Sequence, residues 1–153
     1  DPLPAFVELQ RVLEVGGLLM FSALGPDTLK ELRAAGATTL RRFHDMHDLG
    51  DMLLAAGFAD PVMEMEKITL TYSDVRAVMQ DLKSIGAHNA TAGRGQGLMG
   101  KNAWARLLEN YERLRSNGKL PATFEMVYGH AWKPEPRTTS DGAAIIKTSF
   151  KLK

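Results

Sequence analysis

One apolar run of strand length, set between two helices, most strongly limits how this chain can fold. Residues 18–24, LLMFSAL, follow Gly16 and Gly17 and precede the turn at Gly25 and Pro26, after which an acidic first turn starts the next helix. A strand that is apolar on both faces is typical of the interior of a covered, parallel sheet. Helix, buried strand and helix in this order form one step of an α/β fold. The sequence therefore predicts an α/β protein.

The rest of the chain follows the same two periodicities. Apolar residues at helical spacing predict three further helices, of which one ends at Gly57, one is capped by Ser73 and one is capped by Asn102. Strands are predicted over residues 62–71 and 123–132, with a last strand near the C-terminus. These elements predict part of an α/β domain with a helical insertion.

The composition excludes several classes of protein. The 153 residues have the length of one domain, and 19 Lys and Arg against 18 Asp and Glu leave a net charge of +1, which excludes an obligate polyanion binder on charge alone. The absence of cysteine excludes disulfides, thiolate zinc sites and a cysteine nucleophile. No apolar run approaches the roughly 20 residues that span a bilayer, and no signal peptide is recognisable. We expect a cytoplasmic protein with no nucleic-acid or membrane partner.

The glycine-rich stretch SIGAHNATAGRGQGLMGKN, residues 84–102, is the first candidate site. Gly95, Gly100 and Lys101 nearly match a phosphate-binding loop, but Asn102 replaces the hydroxyl that binds magnesium, and a helix precedes the stretch where such a loop needs a strand. Two interpretations stay open. The stretch is either an exposed connection, or a mobile segment that closes on a ligand. The polar side chains suited to ligand contact are His88, Asn89 and Arg94, and the guanidinium of Arg94 can hold a carboxylate bidentately.

The other histidines are weaker candidates. His44 and His47 lie in HDMH, a poor metal sequence, and the sequence predicts no metal site. His130 shares one strand face with Tyr128 and Trp132, by strand alternation. A satisfied core histidine is the slightly favoured interpretation there, and a ligand contact is the alternative. No Ser-His-Asp order or carboxylate pair stands out, so the catalytic residues are unknown.

Several segments together resemble a known family. LQRVLEVGGLLMFSALGPDTLKELR, RFHDMHDLGDMLLAAGFADPVM, DLKSIGAHNATAGR and LPATFEMVYGHAW, in this order, are similar to the C-terminal part of the malonyl-acyl-carrier-protein O-methyltransferases of biotin synthesis. The most specific pieces are GPDTLKEL, LKSIGAHN and the final strand. The resemblance implies the C-terminal portion of a class I, Rossmann-like methyltransferase sheet, with the helical insertion, at about residues 73–117, covering the substrate side of a single, incomplete domain over residues 1–153.

The implied reaction is methylation, by S-adenosylmethionine, of the free carboxylate of a malonyl thioester, carried by acyl carrier protein or coenzyme A. That carboxylate is already ionised at neutral pH, so the protein must mainly orient it and exclude water. By resemblance, the residues expected to contact the substrate are His88, Asn89, Arg94, Tyr128 and His130. Basic residues expected to dock an acidic carrier protein are Arg41, Arg42, Lys83, Lys101 and Arg106.

The family's glycine-rich cofactor motif is not found in this sequence. We therefore expect the S-adenosylmethionine site to lie mostly upstream of Asp1, the chain to be a fragment that is inactive alone, and an unpaired sheet edge to allow self-association. Two alternatives stay open. Complex I assembly proteins with a methyltransferase-like fold, which would imply modification of a protein, resemble DLGDMLLAAGF, DLKSIG and LPATFEMVYGHAW. A non-catalytic binding module is the other alternative.

Overall fold

A computed structural model describes residues 1–37, 43–84 and 100–136 of the chain. The helices and strands of these ranges are, in chain order, α1 (Leu3–Val12), β1 (Leu18–Leu24), α2 (Lys30–Ala34), α3 (Met46–Ala55), β2 (Ala59–Tyr72), α4 (Val75–Ser84), α5 (Lys101–Glu112) and β3 (Leu120–Trp132). Within these ranges, no helix combines the length and the apolar character that crossing a bilayer requires.

The three strands form one sheet in the order β1-β3-β2. β3 runs antiparallel to β1, because the Gly25 N–H donates to the Glu125 carbonyl at 2.8 Å while the Lys133 N–H donates to the Gly17 carbonyl at 2.9 Å. β3 is also antiparallel to β2, because Thr69 pairs with Thr123 and Glu66 with Tyr128, so β1 and β2 run parallel to each other at the two edges. All neighbouring pairs of described strands are therefore antiparallel.

The expectation that β1 lies in the interior of a covered, parallel sheet is wrong for the described residues. β1 is an edge strand whose described neighbour is antiparallel, and Leu19 is its one buried residue, while Met20 is 71% exposed. The apolar sequence shows that the strand can be buried on both faces. It does not show which helices or strands are present to cover those faces.

The chain divides into two compact units. The described residues of the first are 1–21, 49–62 and 129–136, and the second holds the others. In the first unit the rings of Phe6 and Phe21 lie 5.2 Å apart, and Leu53 and Phe58 are buried. The Lys133 ammonium donates to the Leu13 carbonyl at 2.8 Å, just beyond the end of α1, where a cation complements the helix dipole.

The second unit has an apolar cluster built from α2, α4, α5 and the start of β3. Its buried members are Leu29, Leu32, Ala35, Ala37, Val75, Val78, Leu82, Leu107, Tyr111, Leu120 and Ala122. Trp104, Leu108 and Phe124 pack against this cluster. The helical stripes predicted for α4 and α5 are thereby confirmed. The Tyr111 hydroxyl donates to the Pro121 carbonyl at 2.7 Å, which satisfies the one polar atom of that buried ring.

Two predicted helix caps are wrong. At α4 the Asp74 carboxylate, not the Ser73 hydroxyl, accepts the Ala77 N–H at 3.0 Å. A carboxylate there also suits the positive end of the helix dipole. At α5 the N-cap is Gly100, and Asn102 lies inside the helix, so no side chain caps it.

Candidate functional site

The carboxyl ends of β1 and β2 lie at the same end of the sheet, since both strands run antiparallel to β3. The turn of residues 25–29 follows β1 and leads into α2, and Ser73 and Asp74 follow β2 and lead into α4. We call this end, together with the start of β3, the carboxyl edge. In open α/β sheets, ligands bind outside the carboxyl ends of the strands. The carboxyl edge is therefore the candidate site.

The turn of residues 25–29 is fastened to β3 by a set of hydrogen bonds. The Glu125 carbonyl accepts from the Gly25 N–H at 2.8 Å and from the Thr28 hydroxyl at 3.2 Å. The Thr28 oxygen in turn accepts the Glu125 N–H at 3.1 Å, and a Glu125 carboxylate oxygen accepts the Asp27 N–H at 2.9 Å. Three residues of the turn thus bind one residue of β3, which fixes the exit of β1.

Leu29 completes this attachment. Its N–H donates to the Thr123 carbonyl at 2.6 Å, and its φ of 58° places a non-glycine residue in the left-handed region at the start of α2. Such a conformation persists where the surroundings determine it, and Leu29 is buried in the apolar cluster. The Glu31 carboxylate accepts both the N–H, at 3.0 Å, and the hydroxyl of Thr123. α2 therefore packs on β3 through polar contacts as well as apolar ones.

Glu125 is a buried carboxylate, 5% exposed. A Cβ built on Gly25 would lie 2.7 Å from the Glu125 carboxyl carbon and 2.8 Å from its γ-carbon. The Glu125 side chain thus fills the space in which any other residue at position 25 would place its side chain. The sequence analysis missed this residue. The available signal was a single charged residue, Glu125, in the strand LPATFEMVYGHAW.

Asp27 and Lys67 form an ion pair at the same edge. The Lys67 ammonium lies 2.6 Å from the Asp27 carboxylate, and the two side chains are 43% and 44% exposed. The hydrogen bond from Lys67 lowers the pKa of Asp27, and the same bond raises the pKa of Lys67, which the nearby Glu125 carboxylate raises further. Both groups therefore stay charged over a wider range of pH than they would alone.

The alternation predicted for β3 is confirmed, and the face that carries Tyr128 and Trp132 is the more exposed one. Thr123, Glu125 and Val127 on the opposite face are buried, whereas Tyr128 is 40% and Trp132 is 44% exposed. Phe124, at the start of the predicted face, packs on the apolar cluster. The predicted face is therefore covered only near the carboxyl edge.

The structure separates Tyr128 from that edge. The Tyr128 hydroxyl donates to the Glu66 carboxylate at 2.6 Å, and this hydrogen bond raises the pKa of Tyr128. Tyr128 lies five positions along the strand from Thr123, about 16 Å at the usual rise per residue. His130 lies in the other unit, is half-buried and has no hydrogen-bond partner among the described residues. The interpretation of His130 as a satisfied core histidine is therefore wrong.

The remaining predicted residues divide into two groups. Lys101 and Arg106 are exposed on α5. Outside the described part of the chain lie Arg41, Arg42, His88, Asn89 and Arg94, together with the side chain of Lys83. Residues 85–99, which carry three of the predicted substrate contacts, connect α4 to α5.

An open pocket of about 530 Å³ lies against α4 and α5 in the second unit. Its described lining is Arg76, Met79, Gln80 and Trp104. This lining combines an apolar wall with a guanidinium and an amide, a combination suited to an organic anion.

The described residues do not provide a metal site, and the turn at Gly25 is closed by another side chain. His47 bonds to Asp45 at 2.9 Å, and no group of three or more His, Asp or Glu in the described ranges could hold a metal ion. Gly25 lies in the strand-to-helix turn after β1, which resembles a ligand cradle. It faces the chain's own Glu125. The space beside Gly25 is filled by the chain itself, so this turn is not an open cradle for a cofactor.

Comparison with known proteins gives consistent matches. The chain is 74% identical, over 100% of its length, to a protein of Gallionella capsiferriformans named malonyl-[acyl-carrier protein] O-methyltransferase, of which it covers 55%. Proteins of the same name from Laribacter hongkongensis and Nitrosospira multiformis are 60% and 63% identical over 95% and 91% of the chain. No protein-family model matches. The chain spans about half the length of the curated relatives it matches.

Solved structures agree on the fold. YcgJ of Bacillus subtilis superimposes with a TM-score of 0.53 at 13% identity, over 89% of this chain and 59% of YcgJ. A Bacillus halodurans structure described as that of a methyltransferase gives 0.51 at 18% identity, over 88% of this chain and 58% of its own. The fold is the C-terminal portion of a class I methyltransferase sheet, and the complex I type of protein is not favoured. The chain corresponds, over 91% to 100% of its length, to the C-terminal part of these relatives named malonyl-[acyl-carrier protein] O-methyltransferase.

Proposed function

We propose that this chain is part of an enzyme that methylates the free carboxylate of malonyl-acyl carrier protein in the synthesis of a biotin precursor. The observation that carries the proposal is the 74% identity, over the whole chain, to the Gallionella relative of that name. S-Adenosylmethionine, held mostly by residues upstream of Asp1, would supply an electrophilic methyl group when bound.

The proposed reaction needs little acid–base catalysis from this chain. A malonyl carboxylate has a pKa far below 7 and is ionised at neutral pH, so it needs no general base. What the reaction needs is a carboxylate held in one orientation in a site that excludes water. The apolar cluster of α2, α4 and α5 borders the carboxyl edge and suits such a site.

We propose that the substrate lies at the carboxyl edge, with His88, Asn89 and Arg94 approaching it from the connection between α4 and α5. The location of that connection between two helices of the apolar cluster supports this placement. Tyr128 and His130 remain proposed contacts. Tyr128 is a weaker candidate than Arg94, because Tyr128 lies far from the carboxyl edge along β3.

The test is methyl transfer from labelled S-adenosylmethionine by the full-length protein. We expect label on malonyl-acyl carrier protein and none on acetyl-acyl carrier protein, which has the same thioester but no free carboxylate. Arg94→Ala should raise the KM for the malonyl substrate by at least tenfold, and Arg94→Lys should recover part of the loss, because a lysine keeps the charge but not the bidentate geometry. Equal labelling of the two carriers, or none of either, would exclude the proposed reaction.

We further propose that Lys101 and Arg106 contribute to docking the acidic carrier protein, together with Arg41, Arg42 and Lys83. Lys101 and Arg106 are exposed and pair with no described carboxylate, whereas Arg113 at the end of α5 is held by Glu109 at 2.9 Å. Arg106→Glu should raise the KM for malonyl-acyl carrier protein but not for malonyl-coenzyme A. Arg113→Glu is the matched control and should change neither. A loss that is equal for both thioesters would reject the docking role.

A further inference from the structure

We propose that Glu125 is a positioning residue for methyl transfer, acting through the turn of residues 25–29 at the carboxyl edge. The inference rests on the proposed function. It assigns to a buried carboxylate of β3 the task of holding the exit of β1 in the geometry that substrate alignment requires.

The first support is the concentration of contacts on one residue. Glu125 uses its N–H, its carbonyl and its carboxylate to bind Gly25, Asp27 and Thr28, over distances of 2.8 to 3.2 Å. The turn and Glu125 are about a hundred positions apart in sequence. A turn tied to a strand at three of its residues has little freedom to move independently of that strand. Two of the three ties use backbone atoms of Glu125, and the tie to Asp27 depends on its side chain.

The second support is steric. The space beside the α-carbon of Gly25 is filled by the Glu125 side chain, whose carboxyl carbon would lie 2.7 Å from a Cβ at position 25. Gly25 and Glu125 are therefore complementary in size. If the side chain at position 125 is shortened, the turn loses both a hydrogen bond and the surface against which it rests.

The third support is charge. The Glu125 carboxylate accepts the backbone N–H of Asp27, and the side chain of Asp27 is paired with Lys67 at 2.6 Å. Glu125 also interacts electrostatically with Lys67. These contacts thus connect Glu125 on β3 with the turn that follows β1 and with Lys67 on β2. All three strands of the sheet are involved. A neutral glutamine would keep an acceptor for the Asp27 N–H and lose only the charge.

The consequence concerns rate more than stability. A displacement of about 1 Å in a substrate-aligning element can cost about 100-fold in rate without preventing binding. A residue that only packs the sheet would instead lower the stability and leave the turnover of the folded enzyme unchanged. The two roles predict different kinetics.

The experiment compares variants of the full-length enzyme, with kcat and KM normalised to folded protein well below each unfolding midpoint. We expect Glu125→Ala to lower kcat by about 100-fold with little change in KM, and Glu125→Gln to retain kcat within about threefold. Val127→Ala, two residues along the same buried face, is the control, and it should lose stability but keep kcat.

A second pair of variants tests the steric argument. Gly25→Ala should lower kcat about as much as Glu125→Ala does. Because the shorter side chain leaves room for the new methyl group, the double variant Gly25→Ala, Glu125→Ala should be no worse than either single variant. Multiplicative losses would contradict the complementarity of the two positions. If Glu125→Ala does not fold, Glu125→Asp, which withdraws the carboxylate from the Asp27 N–H, replaces it with an expected loss of at least tenfold in kcat.

The outcomes separate this inference from the proposed function. If the wild-type enzyme methylates the malonyl thioester and Glu125→Ala keeps its kcat, Glu125 is only structural and the inference alone is overturned. If the wild-type enzyme transfers no methyl group to that substrate, the proposed function fails and the inference fails with it.

Discussion

The two faces of β3 contrast in a way that their composition does not suggest. The face that carries Thr123, Glu125 and Val127 is buried, although it includes a charged and a hydroxyl residue. The opposite face carries the aromatic side chains, yet Tyr128 and Trp132 remain 40% and 44% exposed. Apolar character alone would have assigned the two faces the other way round.

The difference lies in the partners that each face meets. α2 and the turn before it bring N–H groups, a hydroxyl and the Glu31 carboxylate to Thr123 and Glu125, so their polar atoms are satisfied after burial. Among the described residues, the aromatic face meets the apolar cluster near Phe124. Burial in this sheet therefore follows the available partners more closely than it follows hydrophobicity.

The largest expected effect is on the buried face. Val127→Ala should lower the free energy of unfolding by about 2 kcal/mol, because it removes two fully buried methyl groups and leaves a cavity. Trp132→Ala, a far larger truncation on the exposed face, should cost less than Val127→Ala. Urea denaturation of the full-length protein measures both values. A larger loss for Trp132→Ala would show that the aromatic face is the true interior.

Next in size is the loss of the hydroxyl of Thr123. Thr123→Val should cost about 1 to 2 kcal/mol, since the half-buried Glu31 carboxylate loses a hydrogen-bond donor and keeps only the Thr123 N–H. Thr69, whose hydroxyl lies 3.3 Å from that of Thr123 but which is exposed, supplies the matched control Thr69→Val. We expect the control to stay within about 0.5 kcal/mol of the wild type. Equal losses would mean that the Glu31 contact contributes nothing.

A smaller effect is expected from the ion pair at the carboxyl edge. The hydrogen bond from Lys67 lowers the pKa of Asp27 below its ordinary value of 3.8. A group whose pKa is lowered by folding stabilises the protein above its unfolded pKa, and that stabilisation is lost as the pH falls through the lower, folded value. Both side chains are nearly half exposed, so the contribution is small after screening by solvent.

Lys67→Met should therefore raise the pKa of Asp27 toward 3.8 and flatten the acid side of the stability profile. Carboxyl NMR titration of Asp27 measures the first effect. An unchanged Asp27 pKa in the variant would show that the ion pair is absent in solution.

The smallest expected effect is at Tyr128 on the exposed face. The Glu66 carboxylate raises the pKa of Tyr128 through their hydrogen bond. In Glu66→Gln the pKa of Tyr128 should move back toward its ordinary value of 10.0, followed by ultraviolet absorbance. Tyr72, which bonds to Asp81 at 3.0 Å, serves as the internal control and should not respond. If the pKa of Tyr128 also stayed unchanged in Glu66→Gln, Tyr128 would not be bonded to Glu66.

The order and kind of the elements could be predicted from the sequence, because apolar spacing is a local property. The stripes of α4 and α5 and the alternation of β3 are confirmed in the structure. The errors arose where the answer depends on distant parts of the chain. The exposure of Met20, and the buried face of β3, are decided by which elements pack beside them.

The candidate site was less predictable than the fold. Gly25 is part of GPDTLKEL, one of the most specific pieces of the resemblance, but the reason for a glycine there is a side chain about a hundred residues away. No local pattern can reveal such a pair. The polar side chains of residues 84–102 could be proposed as ligand contacts from their chemistry, and His88, Asn89 and Arg94 stay predictions that lie outside the described residues.

The most direct test of the central claim, that the substrate lies at the carboxyl edge, is amide hydrogen exchange of the full-length enzyme with and without malonyl-acyl carrier protein. The structure predicts slower exchange in the turn of residues 25–29 and in α4 and α5 when the substrate is bound. Residues 63–67, which lie beside Tyr128 on β2, should exchange at the same rate in both states. Slower exchange confined to residues 63–67, with no change at the turn or in the two helices, would contradict the placement of the substrate.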